Sequence, residues 1–372
     1  MRERGIGAKL DKAARERELL PLLKQFANAG VQFSTMDIDA EFYIGRDVDG
    51  LVPFVIVGRL MLGLGEPLSA AEDQRGLAEE FMWFAKRRGK VPAFFPASQE
   101  FFDAMADLGF GGVETARESF FRLDFVDWDD PNMVTLREEA ETVEKQWSHR
   151  WMTGKELGSE GAARLSQLER GWGGPVGTPP IVPLFVGQPE TALESRFFSM
   201  WLAEGSPVGC VSMVPHGDGK TLSVEELFLD RDIDFALAGG LLFRTLECAH
   251  QNGWESLSLG PMVFETTPRG SLEGLPPDSE FPMVASVFTW VLRHVPALEQ
   301  VRNAQRLKLL LVPQETRSLY LMFHPARPTA DLLLNFVKAI FPGLNFKGMV
   351  QEVWFAFASR LMQKRDATEN EE

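Results

Sequence analysis

Residues 51–110 constrain this chain more than any other stretch. Residues 55–59 (VIVGR) lead into residues 62–68 (LGLGEPL), and an acidic helix start follows. A helical segment over 77–88 precedes a short apolar run at 91–96, and a second helix ends in Leu108-Gly109-Phe110. Apolar runs of strand length alternating with amphipathic helices predict strand, helix, strand, helix. The run over 54–64 is almost continuously apolar, as expected of a central strand covered on both faces. The pattern returns after residue 195. The chain therefore reads as two α/β units in tandem, with mixed sheets flanked by helices.

Size and composition agree. With 372 residues the chain exceeds one ordinary domain. Its 45% hydrophobic residues, with 29 Phe against two Tyr, supply a large core. The formal net charge of -15 repels phosphate backbones, so nucleic-acid contact requires a local basic cluster. DNA is not expected as a partner. Cys210 and Cys248 are the only cysteines, one in a strand-like run and one in a helical run. No disulfide framework is needed, and buried thiols or a reactive role both remain open. The start, Met1-Arg2-Glu3-Arg4, lacks the apolar stretch of a signal peptide, and no run reaches the ~18 apolar residues of a membrane span. A cytoplasmic location follows as the expectation, with peripheral contact at the inner face of the membrane left open.

The chain divides as follows. Residues 1–30 hold an amphipathic helix (9–29), with Leu10, Ala13, Leu20, Leu23 and Phe26 near one face and Lys12, Arg15 and Arg17 on the other. A solvated face and an anionic contact both account for those cations. Residues 31–127 form the first unit, closed by a strand at 120–126. Residues 128–185 form a bridging helix (129–151), started by Asp129 or Asp130 and Pro131, and a Gly/Pro-rich linker. Residues 186–355 form the second unit, with strands at 197–202, 208–215, 221–229, 257–260 and 318–323. Its helices are expected at 238–252, 284–295 and 329–341, with a loop over 266–282. Residues 356–372 are a basic-then-acidic tail.

The chemistry concentrates in the second unit. A strand ending at Leu229 runs into Asp230, Arg231, Asp232 and Asp234, then Gly239 and Gly240 open a helix. Backbone N–H groups at such a helix start can receive a diphosphate, although three carboxylates oppose it, and small residues also serve helix packing. None of the five histidines has metal-ligand spacing, and neither a nucleophile elbow nor a Walker motif is present.

Read together, four places resemble the cytosolic domain of phosphatidylglycerol lysyltransferases, the multiple peptide resistance factor family. They are Gly58-Arg59 with Gly65-Glu66-Pro67; Phe101 through Leu108-Gly109-Phe110; Leu222-Ser223-Val224 through Gly253-Trp254 and residues 257–260 (LSLG); and Arg306-Leu307-Lys308 through Pro313, Arg317 and Tyr320. The resemblance spans residues 22–343. It implies a tandem GNAT-like acyltransferase fold. It also implies transfer of an aminoacyl group from aminoacyl-tRNA to a hydroxyl of a lipid such as phosphatidylglycerol, without metal or redox cofactor. The sequence contains no counterpart of the membrane-spanning portion of full-length members.

Several positions depart from the family. The basic helix between the halves is here residues 133–144 (MVTLREEAETVE). The Asp-Leu-Met-Arg strand end is here residues 226–230 (ELFLD), so the arginine is absent or displaced to Arg231. Leu310 replaces a second lysine, and residues 261–265 (PMVFE) replace Met-Ala-Pro-Leu. These changes remove positive charge and are compatible with a changed donor, a changed acceptor or a lost site.

On this basis Glu226, Asp230 and Lys308 are the candidate catalytic groups. Arg231, Gly239, Gly240, Arg269, Arg306, Arg317 and Tyr320 are the candidate substrate contacts. The carboxylates can orient an amine or take a hydroxyl proton, and Arg306, Lys308, Arg317 and Tyr320 can clamp a phosphate or carboxylate. Two other classes stay open: an N-acyltransferase using a coenzyme A thioester, and a non-catalytic scaffold of the same fold.

Overall fold

The computed structural model describes residues 7–27, 30–36, 39–172, 193–230, 233, 237–263, 298, 302, 305–306, 311 and 313–342. Its strands are β1 (Gly7–Lys9), β2 (Glu41–Ile44), β3 (Leu51–Val57), β4 (Leu60–Leu64), β5 (Val91–Ala97) and β6 (Gly111–Arg122) in the first half. The second half supplies β7 (Ser148–Thr153), β8 (Phe197–Ala203), β9 (Ser206–Pro215), β10 (Thr221–Leu229), β11 (Ser256–Val263) and β12 (Glu315–Phe323). All belong to a single 12-stranded mixed sheet in the order β1-β2-β3-β4-β5-β12-β6-β11-β10-β9-β8-β7. The two α/β units are present, but their sheets are fused edge to edge where separate ones were expected.

The fusion has a definite cause. Each unit has a parallel pair joined by a helix: β4 and β5 through α3 (Ala71–Arg87), and β10 and β11 through α7 (Ala238–Gln251). Each unit then gives its last strand to the other. β6 pairs with β11, β12 pairs with β5, and β12 pairs along its whole length with β6. The two parallel pairs consequently run in opposite directions along the sheet.

Helices cover both faces. One carries α3, α4 (Gln99–Met105), α5 (Pro131–Glu144) and α7, over two cores around Phe54, Phe81 and Phe94 and around Trp201, Phe243 and Leu257. The other carries α6 (Gly154–Trp172), α8 (Ala330–Ile340) and the N-terminal segment. Local chemistry explains the ends. Glu72 and Asp73 begin α3 while Lys86 and Arg87 end it, matching the helix dipole. Ser98 caps α4 by accepting from the Phe101 N–H, and Asp130 caps α5 by accepting from the Asn132 N–H, with Pro131 in its first turn.

Three expectations change. The run over 54–64 is broken by a turn at Gly58, whose φ of 57° is left-handed, into β3 and β4. The bridging helix stops at Glu144, because residues 148–153 form β7 against β8, and α6 follows where linker was expected. The N-terminal helix is interrupted: α1 (Lys12–Ala14) passes through a π-helical turn (Arg15–Leu19) into α2 (Leu20–Phe26). Arg15 is partly buried. It donates to the Leu10, Thr35 and Met36 carbonyls and holds this turn to a 3-10 helix, Gly30–Met36. The expected helix over 284–295 and the tail at 356–372 lie outside the described residues.

Gly240 shows why a small residue opens α7. A Cβ there would stand 2.7 Å from the Ala140 nitrogen on α5. Glycine-to-alanine change inside a helix ordinarily stabilises by about 1 kcal/mol. Here the backbone contact reverses the sign, and Gly240→Ala is expected to destabilise by about 1–3 kcal/mol. Urea unfolding checks this, and a raised midpoint would contradict it.

Candidate active site

The parallel pair of the first unit is closed, since residues 60–64 of β4 all pair with residues 91–95 of β5. The second unit differs. β10 and β11 pair only at Thr221–Ser256, Leu222–Leu257 and Ser223–Ser258, and the ladder then stops. Bulges bend both strands away from each other. On β10 the register with β9 shifts between Val224 and Glu226; on β11 the register with β6 shifts between Ser258 and Pro261. Gly260, with φ of 71°, supplies the left-handed residue that the second bulge uses. The strands part beyond Ser223, next to the start of α7.

A row of buried polar groups crosses the sheet at this opening. Ser223, Glu226 and Ser212 share the face away from α7, because Leu222, Val224 and Leu227 belong to the α7 core. Glu226 is 4% exposed and stands opposite Ser212. Beside it in the bulge, Glu225 accepts from Arg196 Nε at 2.8 Å, with the two side chains 1% and 2% exposed. On the other flank the Ser258 hydroxyl donates to Glu118 of β6, and the Gly260 N–H donates to the Ser258 hydroxyl at 2.9 Å. Ser212 and Ser223 hydroxyls have no hydrogen-bond partner among the described residues. The opening is thus lined by three buried carboxylates, one of them from the first unit.

The expected site residues divide. Glu226 lies at the opening. Asp230 lies at the end of β10, its N–H bonded to the Val208 carbonyl at 2.7 Å and its carbonyl accepting from Ile233. Four steps along the chain separate them, about 13 Å, so the two carboxylates do not serve one reacting atom. Gly239 and Gly240 are buried in α7, and Gly240 packs against α5, the helix-packing role that the sequence left open for it. Arg306 is exposed; its neighbour Gln305 donates to the Val263 carbonyl at 2.7 Å, which puts Arg306 by the end of β11. Arg317 stands opposite Glu118, lies 4.3 Å from the Phe120 ring centroid and pairs with Glu315 at 2.6 Å.

Tyr320 is on the opposite face from Arg317. It stacks on Phe102 at 5.3 Å beside the core of α3 and α4, so the expected clamp of Arg306, Arg317 and Tyr320 is not assembled. Arg231, Arg269 and Lys308 lie outside the described residues. Arg196, Glu225, Glu118 and Ser258 were missed from the sequence. The only signal was a doubled carboxylate, Glu225-Glu226, inside an otherwise apolar strand pattern.

The cysteines are inert thiols here. Burial, helped by Glu226, pushes the Cys210 thiol well up; burial, helped by Glu247, pushes Cys248 up to about 11. Among the described residues no group of His, Cys, Asp and Glu could hold a metal ion, and no helix is long and apolar enough to cross a membrane.

A tandem α/β fold with one closed and one opened parallel pair is a GNAT-like fold. The family described as "Phosphatidylglycerol lysyltransferase, C-terminal" matches residues 25–323, and the chain belongs to that family. A structure described as the C-terminal domain of a lysylphosphatidylglycerol synthetase from Agrobacterium fabrum superposes with a TM-score of 0.71 at 15% identity, covering 90% of this chain and 99% of that one. The structure of L-PGS from Bacillus licheniformis gives 0.68 at 17% identity, covering 90% and 99%. A conserved protein of unknown function from Bacteroides thetaiotaomicron gives 0.50 at 12% identity, covering 85% and 98%. At these identities the likeness is one of fold. No curated protein matches in sequence.

Two consequences are measurable. Removing the Arg196 cation leaves Glu225 buried without its counter-charge, so Arg196→Met is expected to lose about 3–5 kcal/mol in denaturant unfolding. A loss below 1 kcal/mol would show that Glu225 does not depend on this pair. The second concerns His216, which follows β9. Burial pushes its imidazole down to about 4, with Asp218 opposing and Arg317 assisting. The unfolded chain takes up this proton near pH 6.5, the folded one only near pH 4. The stability this site holds above pH 6.5 is therefore lost as pH falls toward 4, by about 3 kcal/mol. His216→Phe should flatten the stability curve in that window, and an unchanged slope would contradict the assignment.

Proposed function

We propose that this protein is an aminoacyltransferase that moves an aminoacyl group from aminoacyl-tRNA to a hydroxyl of a membrane lipid such as phosphatidylglycerol. The observation that carries the reading is the opened β10–β11 pair with buried Glu226 beside it, in a chain that matches the lysyltransferase family over residues 25–323. The reaction is a transesterification. The lipid hydroxyl oxygen attacks the ester carbonyl carbon, a new carbon–oxygen bond forms, and the bond to the tRNA ribose oxygen breaks. Glu226 takes the hydroxyl proton and returns it to the leaving ribose oxygen. Backbone N–H groups freed where the strands part are candidates to bind the developing oxyanion. The tRNA ester is already activated, so positioning supplies much of the rate.

Arg306 lies by the end of β11, and Lys308 follows it in sequence. Both are assigned to the anionic donor or acceptor. With a net charge of -15, donor binding depends on such local cations and weakens steeply with salt. This reading places the protein at the cytoplasmic face of a membrane and needs neither metal nor redox cofactor.

Incubating the protein with charged tRNA and phosphatidylglycerol vesicles is expected to yield aminoacylated lipid, detected by mass spectrometry. Glu226→Gln should lower kcat about 10²–10⁴-fold with the fold retained. Absence of product across a full set of charged tRNAs, with tight acyl-coenzyme A binding, would replace this reading by an N-acyltransferase. Silence in both assays would leave a scaffold.

A further inference from the structure

The strand directions divide the sheet into two edges of different character. β4 and β5 begin on the edge where β6 also begins and where β12, β10 and β11 end. The β10–β11 opening therefore gives onto the same edge as the β3–β4 turn and the C-terminus of α3. That end of the first unit is basic. Arg59 occupies the turn, and Lys86, Arg87, Arg88 and Lys90 surround the end of α3. The cluster is held together by backbone: Lys90 Nζ donates to the Gly58 carbonyl and the Val91 N–H to the Arg59 carbonyl, both at 2.8 Å. None of these five cations pairs with a carboxylate among the described residues.

Exposed apolar side chains are interleaved with them. Trp83 is 50% exposed with Lys86 Nζ 4.7 Å from its ring centroid, and Ile56 and Leu334 are 37% and 38% exposed. Ile56 lies two residues before the turn. Leu334 precedes Asn335, whose amide lies against Gly58. The opposite edge, past the end of β6, carries Asp124, Asp127, Asp129 and Asp130.

We propose that the Arg59–Arg87–Arg88 end of the first unit, with Trp83, Ile56 and Leu334, is the surface that docks on an anionic lipid bilayer and turns the β10–β11 opening toward it. This deepens the lipid-acceptor reading above, and its purpose rests on that reading. The Debye length at physiological salt is about 8 Å, so a touching bilayer feels the local cations while most of the acidic remainder is screened. The acidic far edge is repelled, which fixes the orientation. Asp230 at the mouth of the opening leaves the attraction to the first unit. Lipid is favoured over a tRNA backbone because a half-exposed Trp and two aliphatic side chains suit the headgroup–acyl boundary and find no partner on paired RNA.

Cosedimentation with vesicles of phosphatidylglycerol and phosphatidylcholine, against phosphatidylcholine alone, tests this with the full chain. Binding is expected only to the anionic vesicles, to weaken with salt, and to fall at least about 10-fold in Arg87→Glu/Arg88→Glu. Quenching of tryptophan fluorescence by bromine-labelled lipid should drop in Trp83→Ala, a second variant that leaves every charge in place. Equal binding to both vesicle types, or unchanged binding in the charge-reversal variant, overturns the proposal. Loss of uncharged-tRNA binding in that variant, with vesicle binding kept, overturns it in favour of an RNA surface. Transfer to a dispersed short-chain phosphatidylglycerol should survive the charge reversal. A chain that docks but transfers to neither acceptor form would refute the functional reading and leave the docking surface standing.

Discussion

The pairing of β6 with β12 is the constraint on which the rest depends. Each strand leaves its own unit to complete the other, so neither half has a finished sheet alone. One hydrogen-bonded ladder then fixes the relation of the two parallel pairs and the edge onto which the β10–β11 pair opens. It also brings Glu118 of the first unit against Ser258 of the second. A site that looks confined to one unit is built from both.

The two parallel pairs have diverged in a physically simple way. In the first unit β4 and β5 stay paired to residues 64 and 95, with Gly63 lying under Phe94 and no charged group in the ladder. In the second, bulges on both strands end the ladder after three pairs, and buried carboxylates occupy the freed face. Burying carboxylates is unfavourable unless they are paired or hydrogen-bonded, and the Arg196–Glu225 and Ser258–Glu118 contacts help to meet that demand. The first unit keeps the fold and presents a basic outer end. The second carries the opening.

Much of the architecture was legible in the sequence because it follows from local rules. The β–α–β alternation, the cap at Asp130-Pro131 and the helix over 330–340 each depend on neighbouring residues. Residues 148–153 were misread because an edge strand gains its stability from β8, which lies some fifty residues away. The π-helical turn escaped for a similar reason, since Arg15 finds its carbonyl partners at Thr35 and Met36.

The site was legible only in outline. Sequence alone determined that the second unit carries Glu226 within a buried strand, and that the chain is a tandem of α/β units. These are properties of pattern and composition, which nearest neighbours along the chain suffice to express. The tertiary structure decided that Tyr320 and Arg317 face opposite sides of β12, that Gly240 serves α5, and that Glu118 and Arg196 join the site. A side chain's face is set by register, and a single bulge inverts it. Those bulges, at Val224–Glu226 and Ser258–Pro261, exist only once the strands meet.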